Sequence, residues 1–325
     1  MPVEPIEYKS GSYFDVEQPI TGSFFGRVFD SKDPIIGNSQ SESSLELASR
    51  DKVSNSGNLG LPGSNTRKMR CAPPLLRKFL AEFLGTFLLV IFGDGAIAQH
   101  VLGQNQSFLS ICLGYGLGLM IGILVSGNVS GGHLNPAVTL AMSLLQKCTY
   151  ICVPVYWAAQ YLGAFAGATV LYGVYADAIE AQLGMNMSSA GIFASYPKDD
   201  IGVVTLIVGQ TLGTGILLII ILAATDKKNM NVPPGLLPLT IGLGLTAIHI
   251  SFAYNAGCAI NPARDFSPRL LTYVAGFGNV FSADNYFFWI PWIMPHIGAV
   301  IGALTYYYFV EIHHKDEDDE EDEDF

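Results

Sequence analysis

The sequence predicts an all-α membrane protein with six transmembrane helices and two re-entrant half-helices, built from two inverted repeats. Half of the 325 residues are hydrophobic and only 14% are charged, which argues against a soluble globular domain. Several apolar stretches are long enough to cross a bilayer, which takes about 20 residues. The triplet Asn-Pro-Ala occurs twice, at 135–137 and 261–263, in the two halves of the apolar region.

Acidic residues are concentrated at the two ends of the chain. Of the 28 acidic residues, nine lie before Arg67 and nine lie between 316 and 324. The segment 1–70 is polar and rich in Ser and Asn, which predicts a disordered cytoplasmic tail. The segment 316–325 predicts an acidic, solvated cytoplasmic tail. The transmembrane domain is therefore expected at 71–315.

The predicted elements alternate between full spans and short helices. The spans are expected at about 79–100, 107–127, 152–175, 202–224, 235–255 and 286–311. A segment too short to span carries one triplet between the second and third spans, and another carries the second triplet between the fifth and sixth. Asn is a favoured N-cap and Pro suits the first helical position, so each triplet predicts the start of a short helix.

The two halves of the apolar region repeat each other. The segment AEFLGTFLLV at 81–90 returns as GQTLGTGILL at 209–218. About 126 residues separate the two triplets, which is typical of half a membrane transporter or channel. The repeats are predicted at about 75–190 and 200–312. Since each holds three spans, an odd number, the second repeat enters the membrane from the opposite side.

Basic residues near the ends of the spans predict the orientation. They fall on one side of the membrane, at Arg67, Lys68, Arg70, Arg77, Lys78, Lys147, Lys227, Lys228 and Lys315. Positive residues favour the cytoplasmic side, so both termini are expected there, with the plasma membrane as the expected location. Two outer loops then carry the glycosylation sequons at Asn105 and Asn186.

The inverted arrangement predicts a pore. The half-helices that begin at Asn135 and Asn261 are expected to meet near the membrane centre, each with about half a positive charge at its N-terminus. Non-helical backbone at that depth must be buried in protein or line a watery cavity. A water-filled pore with a central positive field that excludes ions and protons satisfies this requirement.

Three motifs give the chain a family resemblance: AEFLGT at 81–86, SGGHLNPAVT at 130–139 and NPARDF at 261–266. With them, residues 75–312 resemble the major intrinsic protein family of aquaporins and aquaglyceroporins. The resemblance implies a homotetramer in the bilayer, with one pore per subunit for water and small neutral solutes. It implies no cofactor, no metal and no nucleic-acid partner.

The family pattern also assigns residues to two constrictions. It places the central constriction at the triplets Asn135, Pro136, Ala137, Asn261, Pro262 and Ala263. It places an outer selectivity filter at Tyr115, His249, Cys258 and Arg264, where Arg264 and His249 are expected to donate hydrogen bonds. Tyr115 and Cys258 are expected to set the width of this filter.

Residues outside the filter and residues within it indicate different solutes. Asp265, Arg269, Tyr196 and Pro291 resemble the glycerol-conducting branch of the family, although Trp292 departs from it. His249 and Cys258 resemble the water-selective branch. The predicted function is passive conduction of water with glycerol or other small neutral solutes, and a strictly water-selective channel remains the alternative.

Other polar residues of the spans are expected to support this architecture. Glu82 and Gln210 occupy matching repeat positions and are predicted to hydrogen-bond to the loops that carry the triplets. Asp265 is predicted to hold the outer loop. For His133, a structural role and a pore role are equally open.

Two other classes share some of these features. A secondary transporter also uses inverted repeats and broken helices, but it usually places charged coupling groups at mid-membrane, and Glu82 is matched by the neutral Gln210. An intramembrane enzyme needs a nucleophile with a base or a metal cluster, and the spans show no such motif. We therefore predict a channel and not an enzyme.

Overall fold

The computed structural model describes residues 73–103 and 107–314. The two predicted tails and the sequon at Asn105 lie outside the described residues. Within these ranges the chain forms α-helices and no strand, which confirms the predicted all-α class. The helices are α1 (Pro74–Gly103), α2 (Phe108–Ser130), α3 (Pro136–Leu144), α4 (Cys152–Gln182), α5 (Met187–Ala190), α6 (Val203–Thr225), α7 (Leu237–Phe252), α8 (Pro262–Val274), α9 (Ala283–Tyr286) and α10 (Trp289–Phe309).

Six of these helices are long and two intermediate ones carry the triplets. The helices α2, α4, α6, α7 and α10, with their adjoining turns, are long and apolar enough to cross a membrane. The helix α1 has 30 residues and is the sixth long helix. The helices α3 and α8 have 9 and 13 residues, too few to span a bilayer. The predicted spans and half-helices are thus present in the predicted order.

One predicted boundary differs clearly from the structure. We predicted that the third span ends near 175, but α4 continues to Gln182 and has 31 residues. At 1.5 Å per residue it is about 46 Å long, which exceeds the hydrocarbon core of about 30 Å. It is therefore longer than a bilayer requires, and the polar residues of its last turns, Asp177, Glu180 and Gln182, are exposed.

The two repeats meet through a reciprocal glycine contact between α2 and α7. A Cβ placed on Gly116 would lie 2.6 Å from the carbonyl oxygen of Gly242, and a Cβ on Gly242 would lie 2.6 Å from the carbonyl oxygen of Gly116. Equivalent atoms contact each other in both directions, as expected for two related halves packed about a pseudo-twofold axis. Small residues allow this close backbone approach.

Matching glycines also pack the helices within each repeat. On α4, Gly163 lies against the backbone of Phe83 in α1, and any Cβ there would overlap the Phe83 carbonyl group. On α10, Gly298 lies in the same way against the backbone of Thr211 in α6. Phe83 and Thr211 are equivalent positions of the repeated segment. The first and third spans of each repeat therefore pack by the same device.

We predict that Gly163→Ala destabilises the protein, because the new methyl group must push α4 away from the α1 backbone. Overpacking of this kind costs about 1–3 kcal/mol. Gly173→Ala is the matched control, since Gly173 lies on the same helix with open space around its Cα. Thermal unfolding of the purified protein in detergent measures both variants, and an equal midpoint for the two would contradict the prediction.

Candidate functional site

The two half-helices begin with the same cap. The Oδ1 atom of Asn135 accepts a hydrogen bond from the Ala137 amide at 2.9 Å, and Oδ1 of Asn261 accepts from the Ala263 amide at 3.1 Å. Proline stands at the first helical position in both helices. The cap and the proline are the features that the triplets predicted.

Each cap residue is also tied to the opposite half-helix. The Nδ2 atom of Asn135 donates to the Ile260 carbonyl oxygen at 2.9 Å, and Nδ2 of Asn261 donates to the Leu134 carbonyl oxygen at 2.8 Å. We call this pair of bonds the amide lock. It uses one N–H of each carboxamide and leaves the second N–H as a donor.

The carbonyl groups of the amide lock come from residues in the left-handed region. Leu134 has a φ of 52° and Ile260 a φ of 36°. Such a conformation is a genuine outlier for a β-branched residue such as Ile260 or a bulky residue such as Leu134, and it costs about 1–3 kcal/mol for each. Since the same strain recurs in both repeats, immediately before each Asn, it is part of the way in which the loops turn into the half-helices.

Buried acceptors from α1 and α6 hold the two loops. The carboxylate of Glu82 accepts hydrogen bonds from the His133 amide at 3.0 Å and the Leu134 amide at 2.7 Å. It also accepts from the side chains of Ser130 and Gln160. In the second repeat, Oε1 of Gln210 accepts from the Ile260 amide at 3.0 Å. These are the loop contacts that the sequence predicted for Glu82 and Gln210.

We predict that Glu82→Ala is much more destabilising than Gln210→Ala. The first change leaves four buried donors without their acceptor, whereas the second leaves the Ile260 amide. With about 1–3 kcal/mol for each buried group that stays unpaired, we expect a loss of about 3 kcal/mol or more for Glu82→Ala and about 1 kcal/mol for Gln210→Ala. Thermal unfolding in detergent distinguishes the two, and similar losses would contradict an unequal anchoring of the loops.

Two cavities run from the triplets toward the loop before α6. The triplet cavity, of about 70 Å³, is lined by Asn135 and Asn261 together with apolar residues of the long helices. The loop cavity, of about 220 Å³, is lined by residues of the 191–196 loop. Tyr115, His249 and Arg264 line both cavities. These three junction residues therefore form the boundary between the cavities.

Cys258, the fourth predicted filter residue, lies beside these three in the wall of the loop cavity. It lines the loop cavity but not the triplet cavity. A Cβ placed on Gly213 of α6 would lie 3.3 Å from the Cys258 sulfur, so this sulfur packs against α6. The role predicted for Cys258 in setting the width of the filter stays a prediction.

Arg264 is buried at the junction among oxygen atoms. Its Nη1 donates to the Phe193 carbonyl oxygen at 3.4 Å, and its Nη2 lies 3.3 Å from Oδ1 of Asp94. Nη2 also donates to the Tyr115 hydroxyl group. The guanidinium group lies 4.6 Å from the centre of the Tyr115 ring. An isolated cation at this depth is costly, and these oxygens compensate it.

His249 lies parallel to Tyr115 and presents an acceptor. The two ring centres are 5.1 Å apart with an interplanar angle of 13°. The Nδ1 atom of His249 lies 3.0 Å from the Leu245 carbonyl oxygen. Because a carbonyl oxygen can only accept, Nδ1 carries the proton, and Nε2 of the neutral ring is an acceptor. This corrects the predicted donor role of His249.

Asp94 on α1 is a site residue that the sequence analysis missed. Its side chain is fully buried, and its Oδ1 accepts a hydrogen bond from the Tyr115 hydroxyl group at 2.5 Å. An acidic residue in the middle of an apolar span is a functional candidate by itself, and this signal was available in the sequence. The partner of Asp94 is an arginine far away in the sequence, which spacing along the chain does not reveal.

Comparison with known proteins identifies the family. A family model described as Major intrinsic protein matches residues 69–306. The chain belongs to this family. It is 43% identical over 251 residues to aquaporin-9 of Homo sapiens, which covers 74% of this chain and 85% of that protein. It is 47% identical over 236 residues to aquaglyceroporin-2 of Rhizophagus irregularis, which covers 70% of this chain and 74% of that protein.

A solved structure shares the architecture. The X-ray structure of the aquaglyceroporin from Plasmodium falciparum matches with a TM-score of 0.68 and 34% identity, covering 73% of this chain and 97% of that one. Aquaporins of the major intrinsic protein family are channels, so this multi-pass membrane protein is a channel and not an enzyme. The family resemblance predicted from the three motifs is confirmed.

In this channel, Asp265 holds the loop above the junction. Its Oδ2 accepts from the Ser195 amide at 2.9 Å, and its Oδ1 accepts from Nε of Arg269 at 3.1 Å. Arg269 also donates to the carbonyl oxygens of Ser195 and Val280 and lies over the Tyr196 ring. Burial raises the pKa of Tyr196 to about 12, so its hydroxyl group stays neutral beside this ion pair. These contacts match the structural role predicted for Asp265.

His133 lies at the other end of the triplet cavity. Its Nδ1 is 3.2 Å from the Thr139 hydroxyl group, and its ring contacts the Tyr156 ring edge-on at 5.1 Å. It also lines the triplet cavity. The side chain is thus both fixed by packing and in contact with the pathway, so the two predicted roles are compatible.

Proposed function

We propose that this channel conducts water and glycerol passively, with a central constriction at the two triplets and a filter formed by Tyr115, His249 and Arg264. The observation that carries the proposal is that these three residues form the boundary between the triplet cavity and the loop cavity. A solute that moves from one cavity to the other must pass their side chains. Cys258 contributes to the wall of the loop cavity.

At the central constriction, the amide lock fixes the direction of two donors. Each carboxamide has one N–H bound to the opposite half-helix, so its second N–H is held in a defined orientation beside the cavity. Together with the two positive helix ends, these donors attract the oxygen of a passing water molecule. A water with its oxygen held in this way cannot pass a proton along the file, and cations are repelled.

At the filter, donors and an acceptor are combined with apolar surface. Arg264 supplies N–H donors, and Nε2 of His249 supplies an acceptor. Between the filter and the triplets the cavity wall is mostly apolar, with Leu89, Leu119, Ile123, Leu217 and Leu245 among its residues. Glycerol has hydroxyl groups on one edge and CH groups on the other, so this pathway suits it as well as water.

The alternative is a channel for water alone. It rests on His249 and Cys258, whose residue types are those of the water-selective branch. The orientation of Cys258 toward α6 and the name aquaglyceroporin of the relatives both favour glycerol conduction. The position of Tyr115 against α1 also favours it.

We also propose a homotetramer in the plasma membrane with both termini in the cytoplasm. Support for the orientation comes from an ion pair and a hydrogen bond that join elements predicted on the cytoplasmic side. Lys147 Nζ lies 2.7 Å from Oε1 of Glu311, and His314 Nε2 lies 2.7 Å from Oδ2 of Asp226. Native mass spectrometry in detergent tests the tetramer, and protease access to the two tails in sealed vesicles tests the orientation.

Proteoliposomes test the solute range. With an impermeant osmolyte, we expect much faster shrinkage than in empty vesicles. With inward glycerol gradients, we expect shrinkage followed by rapid re-swelling, and a pH-sensitive dye should show no added proton flux. Rapid water flow without re-swelling would instead establish the water-selective alternative, and no gain in either flow would contradict the proposed channel activity.

His249→Ala tests the filter directly. Loss of the imidazole widens the boundary between the cavities, so we expect glycerol permeability to rise by about tenfold. A small change in how well a solute fits its site alters selectivity by about this factor. Water permeability should change less, because water already fits. The matched control is His296→Ala on α10, a histidine that lines neither cavity. Unchanged or reduced glycerol permeability in His249→Ala would contradict the assignment.

A further inference from the structure

The ring of Tyr115 is seated in a recess of α1. A Cβ placed on Gly93 would lie only 2.7 Å from Cζ of Tyr115, so the ring occupies the space that any other residue at 93 would fill. The next residue, Asp94, accepts the hydrogen bond from the Tyr115 hydroxyl group. Gly93 thus provides the space and Asp94 the hydrogen bond that hold this ring.

Asp94 also contacts Arg264, the positively charged residue of the filter. Its Oδ1, which binds Tyr115, lies 3.3 Å from Nη2 of Arg264. Both side chains are almost completely buried, so water screens this attraction little. One carboxylate oxygen therefore holds both the aromatic residue and the arginine of the filter.

The recess is not required by the fold. The repeated segment aligns Gly93 and Asp94 with Ile221 and Leu222 of α6. Leu222 is buried in the apolar core, as expected at such a position. A buried carboxylate is costly, and a well-packed apolar residue of similar size is often as stable or more stable. The second repeat shows that the apolar solution is available, which indicates that Asp94 serves the pathway.

We propose that Asp94 is a positioning residue that adapts a filter of water-type residues to glycerol. By holding the Tyr115 ring in the Gly93 recess and Arg264 beside it, Asp94 keeps two of the three filter side chains on the α1 side of the pathway. The inference rests on the proposed glycerol conduction. It explains what keeps the Tyr115 ring, whose centre lies 5.1 Å from that of His249, from moving further into the pathway.

The same geometry predicts the effect of releasing Tyr115. Without the acceptor at position 94, the phenol hydroxyl group must find another partner, and water in the pathway is the nearest source. The ring then moves toward the pathway and narrows it. A narrower filter obstructs glycerol more than water, so the ratio of glycerol to water permeability must fall.

The test compares Asp94→Val and Tyr115→Phe with the wild-type protein in proteoliposomes, measuring water and glycerol permeability on the same vesicles. We expect the ratio of glycerol to water permeability to fall about fivefold in Asp94→Val. This is the change in rate that corresponds to the loss of one buried hydrogen bond. Tyr115→Phe keeps the ring and removes the hydroxyl group that would turn toward water, so its ratio should stay close to that of the wild type. The double variant should recover toward that ratio, because it lacks the hydroxyl group that draws the ring into the pathway in Asp94→Val.

The ratio does not depend on how much of a variant folds, because every inserted channel contributes to both flows. Asp177→Asn, which removes an exposed carboxylate of α4, is the matched control and should leave the ratio unchanged. An unchanged or increased ratio in Asp94→Val would overturn the role of Asp94, as would a double variant whose ratio is as low as that of Asp94→Val. Wild-type vesicles that pass water but not glycerol would overturn the proposed solute range itself.

Discussion

The amide lock is the interaction on which the pathway depends. Two half-helices that enter from opposite sides need a connection at their tips, where the backbone of both is non-helical. The carboxamides of Asn135 and Asn261 provide this connection. Each caps its own half-helix and donates to the backbone carbonyl group of the residue that precedes the other Asn. Few side chains have the acceptor and the two donors that these contacts and the permeant together require. The strain at Leu134 and Ile260 is the conformational cost of presenting those carbonyl groups.

Buried charges are arranged around this lock so that each has partners. Glu82 is surrounded by four hydrogen-bond donors, and Asp265 is paired with Arg269. Arg264 faces Asp94 and loop carbonyl groups. In a low-dielectric interior an ionic group without partners is strongly disfavoured, so these groups fix the loops in single positions. A rigid pathway follows, and rigidity is what a filter needs to discriminate by size.

The fold and the two capped half-helices were predictable because their signals are local or repeated. The Asn-Pro-Ala triplets indicate helix starts, and the recurrence of the first-span motif indicates the inverted halves. Contacts between distant residues were not predictable in the same way. Three such features depend on how the helices pack and do not follow from spacing along the chain. They are the hydrogen bonds of the amide lock between the two repeats, the orientation of the Cys258 sulfur toward α6 and the pairing of Asp94 with its partners.

The differences between the repeats locate the function within the symmetric scaffold. Gly116 and Gly242, the two half-helix caps, and the glycines of α4 and α10 are equivalent in both halves, and they build the bundle. The filter breaks this equivalence. Arg264 corresponds to Val138, which follows the first triplet and lines the cavity as an apolar residue. Asp94 is opposite in character to Leu222. A symmetric pore would have the same constriction at both ends. Arg264 on α8 and its partner Asp94 on α1 come from opposite repeats and meet at one end only. The proposed filter is therefore confined to that end, and the apolar wall and His133 line the other.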